Sequence, residues 1–354
     1  MPTNRINKLM GCTAATALIF QTAATSALAG EINMLVWEGY ADPSFITPFE
    51  EATGCKVSAT YVGTSDDYAA KLAAGGSIYD LTSAPLDSTG ILVDAGFIDP
   101  IDLSRIEGWD DIYPQFREAK AINKNGEVYG VPYIWGSVPI MYRTDMILEE
   151  IDSIEAFWDE KYAGKISIWD DRSALYMAAR MNGVEDVYNM DADQLAAARE
   201  KMIEQKPLVR KYWTTAGELV DLFVKGEVWI SNTWGGYQSS LIAEQGIPVV
   251  EILPKEGAGA YADSWNIVKN SPNVDCAYEY INFAISPEGQ CGVYRVTGYS
   301  LLNEASAREC MTPEEFSAAH QDDPAYFQQL NVWENLGANT EPYTNAWNGV
   351  KAAN

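Results

Sequence analysis

Histidine is almost missing from this chain of 354 residues; His320 is the only one. Basic residues are scarce as well, 24 Lys and Arg against 50 Asp and Glu, which gives a net charge of −26. The first shortage leaves a Ser-His-Asp triad one possible base, and His320 lies in the polar helical stretch "SAAHQDD", read as exposed surface with no catalytic context. No zinc spacing occurs among the cysteines. The second shortage removes nucleic acid from the expected partners, because phosphate contacts need Lys and Arg. There is no G-x-S-x-G elbow and no phosphate loop: Gly164-Lys165 lacks both the upstream glycine and the following Ser or Thr. Paired carboxylates serve glycosidases, but fifty acids supply such pairs by chance. We therefore expect no enzyme and no cofactor. Most of the acidic surface is solvation, and it attracts cations.

Long apolar runs are missing too. The one candidate is at the start, where Arg5 and Lys8 precede an apolar stretch from about Leu9 to Phe20 and Ala27-Leu28-Ala29 forms a small-x-small cleavage site. Residues 1–29 read as a cleaved secretory signal peptide, too short in its apolar part to span a bilayer. Leu9-Met10-Gly11-Cys12 resembles a lipoprotein box, but the apolar region follows Cys12 rather than preceding it. Export implies an oxidising compartment for Cys55, Cys276, Cys291 and Cys310. Four cysteines allow three pairings. Cys291 with Cys310 is the one favoured here, since it would pin the segment after Tyr299.

What is present has an α/β rhythm. Ile32–Trp37, Cys55–Val62 and Tyr79–Ser83 read as strands. Pro43–Thr53 (stopped by Gly54), Ser65–Ala74 (Ser65 as N-cap) and Leu86–Ala95 read as the helices between and after them. A mostly parallel sheet follows from that order, with ligands expected beyond the carboxyl ends of its strands. Asn125-Gly126 reads as a hairpin turn. "VPYIWGSVPIMY" suits a crossing to a second lobe and "PKEGAGAYADSW" a glycine-rich return. Between them lie strands at Ile166–Trp169, Val228–Asn232 and Val249–Leu253, and helices at Arg172–Met181 and Ala192–Ile203. Asp275–Ala284 and Pro287–Val296 are expected helices. The carboxyl-terminal stretch with Trp333, Tyr343 and Trp347 reads as loop-rich.

Three stretches carry chemistry. "LVWEGYAD" puts Trp37, Glu38 and Tyr40 at the exit of a buried strand. "SIWDDRS" puts Asp170 and Asp171 before a helix, where an N-cap acid is ordinary. "NTWGGYQSS" and "AYADSWN" put Trp234, Tyr261 and Asp263 in what read as glycine-flanked loops. Aromatic faces with carboxylates and no clustered Lys or Arg select an organic cation.

The chain resembles the periplasmic spermidine/putrescine-binding proteins of ABC transporters over nearly all of its length after residue 29. The matching stretches include "VWEGY", "FEEATGCKV", "VPYIWG", "GKISIWDD", "GEVWISNTWGG", "ILPKEGA", "ADSWNIVKNSPN" and "VTGYSLLN". This resemblance implies an α/β, two-lobed periplasmic-binding-protein fold of type II, with mixed sheets flanked by helices and a ligand cleft between the lobes. One lobe would take residues 30–138 and 260–304, the other 139–259 and 305–354. By position, Trp37, Tyr40, Trp234, Tyr261 and Tyr299 would box the ligand, and Asp171 and Asp263 would bind its ammonium groups. The resemblance also implies inner-membrane permease subunits as partners, and a monomer. This sequence departs from the pattern at four places. Ala174 stands where the spermidine binder has a glutamate, and Asp87 where an aromatic is common. Glu38 replaces a small hydroxyl residue, and Glu334 lies near an expected glutamine. We expect Glu38, Asp87 and Glu334 to reach the ligand, replacing the carboxylate lost at Ala174. The alternatives are a binder of ferric ion, thiamine or phosphonate, or a secreted hydrolase. Ferric sites want clustered tyrosines and often a histidine, and anion sites want Arg or helix N-termini.

Overall fold

The computed structural model describes residues 30–75, 78–321 and 330–353, together with Met1, Asp323 and Tyr326. Residues 2–29 of the expected signal peptide lie outside the described residues.

The first third alternates as its sequence demands: β1 (Gly30–Val36), α1 (Pro43–Thr53), β2 (Cys55–Tyr61), α2 (Asp66–Gly75), β3 (Leu81–Pro85) and α3 (Leu86–Asp94). α1 begins on Asp42, whose side chain accepts the Ser44 N–H, and ends on Gly54 in the left-handed region. β1 lies between β2 and β3, parallel to both. The third strand runs to Pro85, two residues beyond the expected end at Ser83, because its pairing with the long central strand continues to that point. After the short helix α4 (Pro114–Arg117), Asn125 and Gly126, both with positive φ, turn the hairpin β4 (Asn123–Lys124) to β5 (Glu127–Val128).

β6 (Val131–Val138) adds to the first sheet, and Pro139 then carries the chain into β7 (Ile140–Arg143) of a second sheet. That sheet also contains β8 (Ile166–Trp169), β9 (Val209–Trp213), β10 (Ile230–Asn232) and β11 (Val249–Ile252). Its helices are α5 (Ala174–Met181), α6 (Ala192–Gln205), α7 (Ala216–Val224) and α8 (Tyr237–Glu244). The chain returns through Pro254 into β12 (Ala258–Ile267), the long antiparallel strand between β3 and β6. Tyr261 and Asp263 therefore stand on a buried strand and not in a glycine-flanked loop. The glycines serve that packing. A Cβ at Gly136, opposite Tyr261 in the ladder, would come within 2.4 Å of the Tyr261 hydroxyl, and one at Gly259 within 2.8 Å of the Trp333 indole nitrogen.

α9 (Val274–Ile285) and α10 (Pro287–Thr297) follow, then β13 (Ser300–Leu301) on the edge beside β6, α11 (Glu304–Cys310) and α12 (Pro313–Ala318). Cys55 is bonded to Cys276 and Cys291 to Cys310, joining β2 to α9 and α10 to α11. β14 (Leu330–Val332) pairs with the start of β12 and so belongs to the first sheet, although the sequence reading gave 305–354 to the second lobe. α13 (Thr340–Ala352) packs against α6 and α5 on the second sheet's side. The expected carboxyl-terminal loop is thus a helix: Tyr343, Trp347 and Val350, spaced by four and three, form its buried face. His320 is half-buried rather than exposed, because its ring stacks on Tyr326 at 3.5 Å.

Candidate functional site

Five strand ends, the middle of β12 and the turn after α10 converge on one cavity between the two sheets. From the first sheet come Trp37 and Tyr40, in the turn after β1, Pro85 at the end of β3, and Tyr261 and Asp263 on one face of β12. From the second sheet come Trp169, the last residue of β8, and Trp234, two residues beyond β10. Tyr299 arrives after the left-handed Gly298 cap of α10, and Trp333 directly after β14. This is where an open α/β sheet places its ligands, beyond the carboxyl ends of its strands.

The rings enclose the cavity edge to face. Trp37 and Trp234 are 5.4 Å apart, Trp169 and Trp234 5.5 Å, and Trp37 and Trp169 5.9 Å. Trp333 stacks on Trp169 at 5.9 Å, and Tyr261 bridges to Tyr299 at 5.5 Å. Each such pair contributes roughly 0.5–1.5 kcal/mol beyond its burial, so the walls are held by one another before any ligand arrives.

Asp263 is the single charged residue lining the cavity among the described residues. It is 1% exposed. One carboxylate oxygen accepts the Tyr40 hydroxyl; the other, Oδ1, has no hydrogen-bond partner among the described residues. Burial raises the Asp263 pKa well above the usual carboxylate range, the Tyr40 hydrogen bond opposes that, and the negative charge of Asp87 adds to it. Burial first and the Asp263 charge second raise the Tyr40 hydroxyl as well, so it remains a donor. A dry carboxylate with a free oxygen inside an aromatic cage is built to meet a positive charge: the ring faces attract it through their quadrupoles and the oxygen accepts an N–H.

Of the residues singled out from the sequence, Trp37, Tyr40, Trp234, Tyr261, Asp263 and Tyr299 line this cavity together. Glu38, Asp87, Asp171 and Glu334 do not. Glu38 accepts the Ala216 N–H at 2.6 Å, at the amino end of α7 across the cleft. Asp87 pairs with Arg172 at 2.9 Å. Arg172, 2% exposed, also pairs with Asp66 of α2. Asp171 spends one oxygen on the Ser173 N–H at 2.8 Å and the other on the Ser65 N–H at 3.0 Å. Ser65 is therefore no N-cap for α2: its amide is held from the opposite lobe and its hydroxyl has no partner among the described residues. α5 likewise starts at Ala174 and not at Arg172, because residues 171–173 turn to send Asp171 and Arg172 across the cleft. Glu334 is exposed.

Trp169, Trp333 and Pro85 were not foreseen as lining residues. Trp169 ends a predicted strand, the same signal that picked out Trp37. Trp333 adjoins the Glu334 chosen instead of it.

A family model described as bacterial extracellular solute-binding protein matches residues 44–328. The spermidine/putrescine-binding periplasmic protein of Salmonella typhimurium is 29% identical over 282 residues, covering 78% of this chain and 79% of the relative. That of Escherichia coli K12 is 27% identical over 321 residues, covering 89% and 90%. Among solved structures, the spermidine/putrescine ABC transporter substrate-binding protein PotD from Streptococcus pneumoniae superposes with a TM-score of 0.72 at 24% identity, covering 91% of this chain and 99% of that one. MotA from A. tumefaciens B6, solved with glucopine, gives 0.77 at 17%, with the same coverage. The shared shape is the two-lobed type II periplasmic-binding-protein fold.

Proposed function

The chain belongs to the bacterial extracellular solute-binding protein family, and from that premise we propose that it captures an organic amine for an ABC importer. The relatives are named for binding spermidine and putrescine, which makes polyamines and related amines the class to test. The observation that carries the reading is the unpartnered Asp263 oxygen inside an aromatic box. An ammonium group entering between the lobes exchanges water for ring faces, each worth roughly 0.5–2 kcal/mol. It also replaces the proton that burial favours on Asp263, which then accepts a charge-assisted hydrogen bond while Tyr40 holds the second oxygen.

The contacts that cross the cleft describe how the lobes close on that ligand. Arg172 reaches Asp66 and Asp87, Asp171 reaches the Ser65 amide, Glu38 reaches the end of α7, and the Trp169 indole N–H donates to the Gly63 carbonyl at 3.0 Å. Opening breaks all of them, so capture and release are a hinge motion between residues 30–138 with 260–304 and residues 139–259 with 305–354, except that α11, tied to α10 by the Cys291–Cys310 bond, and Leu330–Val332 move with the first sheet. The protein acts in the periplasm as a monomer after loss of residues 1–29, hands its amine to permease subunits, and turns nothing over.

A thermal-shift screen tests this with putrescine, cadaverine, spermidine, spermine, choline, thiamine and ferric citrate. A ligand that binds only the native state raises the midpoint by mass action. An amine should do so; a shift with ferric citrate and none with any amine would overturn the reading.

A further inference from the structure

The tryptophan cage has two neighbouring cavities of opposite character. The one that shares Tyr299 with it carries the Glu251 carboxylate, so a second ammonium has an acid on that side. The one that shares Trp333 with it has Arg180 as its single charged lining residue among the described residues. Arg180 lies in the last turn of α5, where the helix dipole favours a cation, but the dipole does not account for a half-buried side chain that lines a cavity. The chain has 50 acids, yet among the described residues none pairs with Arg180 and no hydrogen bond engages its guanidinium. Burial lowers its pKa and the Tyr188 hydroxyl opposes that, with no carboxylate contributing. A guanidinium stays charged at neutral pH even so.

Two further lining residues offer donors. Asn232 uses its Oδ1 on the Trp169 N–H at 2.8 Å, which leaves its NH2 group to donate. Tyr176 is 6% exposed, and its hydroxyl has no partner among the described residues. Burial raises the pKa of that hydroxyl, so it keeps its proton. Gly259, Tyr261 and Asp263 alternate along β12, so the Arg180 cavity continues the cage along one face of that strand. One end of the combined space has an acceptor oxygen without a partner, and the other has a guanidinium without an acid.

Resting on the amine reading above, we propose that the protein also takes amines that end in a carboxylate, with the ammonium on Asp263 in the cage and the carboxylate on Arg180 beyond Trp333. The class is the linear ω-amino acids. A guanidinium meets a carboxylate with two parallel N–H bonds, so the far end of such a ligand satisfies a charge that the fold leaves unpaired.

Calorimetric titration of the full chain tests this with 4-aminobutyrate, 5-aminovalerate and 6-aminohexanoate, each set against the alkylamine of the same carbon count, and with putrescine. At least one amino acid should bind about tenfold or more tightly than its alkylamine. Arg180→Met should remove that margin and lower the ratio of amino acid to putrescine affinity at least tenfold, while Arg180→Lys, which keeps the charge, should recover part of both. If alkylamines or putrescine bind and no amino acid gains on its alkylamine, the proposal falls while the amine reading stands. A margin that survives Arg180→Met also overturns it. If neither the amino acids nor the amines bind, the amine reading falls and takes the proposal with it.

Discussion

Asp263 and Asp87 are both buried acids, and the charge of Asp87 adds to the raised proton affinity of Asp263, yet they differ in what faces them. Arg172 stands against Asp87 at 2.9 Å and the Ser88 amide at 2.8 Å adds a further bond. One oxygen of Asp263 has the Tyr40 hydroxyl and the other has nothing among the described residues. The first arrangement is complete without a ligand; the second is not. A buried acid whose partners are all present holds the protein together, and one left short of a partner marks where a partner from outside belongs.

The sharpest way to break that contrast is to remove Arg172. Arg172→Met leaves Asp87 and Asp66 without their counter-charge across the cleft, and stranding a buried partner costs about 3–5 kcal/mol. The urea midpoint should fall accordingly. A change below about 1 kcal/mol would show that the knot is solvated and that Asp87 is nearer in kind to Asp263 than its contacts say.

Asp263→Asn should do the reverse. It removes a carboxyl that burial already pushes toward its neutral form, so stability holds or rises, while amine binding weakens by about 2–4 kcal/mol through loss of a charge-assisted bond to a desolvated ammonium. Unchanged affinity would take Asp263 out of the site. pH sharpens the same point. Because the folded pKa lies above the unfolded value, the empty native state holds more protons than the unfolded chain between the two, and its stability falls as pH rises through that window. A bound ammonium needs the ionised form, so affinity should fall as pH drops through the raised pKa, and binding below it should release a proton. Calorimetry in buffers of different ionisation enthalpy reads that proton. Asp87 is also shifted upward by burial, with Arg172 opposing, so the dependence belongs to Asp263 only if Asp263→Asn abolishes it.

This difference between the acids is also where the sequence stops being legible. Trp37, Tyr40, Trp234 and Tyr299 are visible as aromatics at strand exits or beside glycines, since the α/β order and turn chemistry are local. Tyr261 and Asp263 are visible by type but misplaced in a loop, because only pairing with Gly136 and Pro85 far along the chain makes that segment the central strand. Trp333 reaches the cavity because Val332 pairs with Ala260, a contact that no local pattern announces. The acids look alike in sequence; which are spent depends on where Arg172, the Ser65 amide and the start of α7 lie in space.

Glu38 gives the smallest and most discriminating test. The sequence places it between two cage residues, and among the described residues it accepts a hydrogen bond from the Ala216 amide on the far lobe. Glu38→Gln keeps an oxygen that can accept that bond but removes the negative charge from the amino end of α7, worth about 0.3–1 kcal/mol. On the proposed hinge motion that contact exists only when the lobes are closed. Its weakening should therefore lower the affinity for every amine by the same factor, by making closure less favourable, and should leave the ratio of butylamine to putrescine binding unchanged. A carboxylate that touched the ligand would behave otherwise, since its loss would weigh on the doubly charged amine more than on the singly charged one. Titration of the variant with both amines separates the two: a uniform loss leaves Glu38 with the completed contacts around Arg172, and a change in the ratio moves it to the side of Asp263.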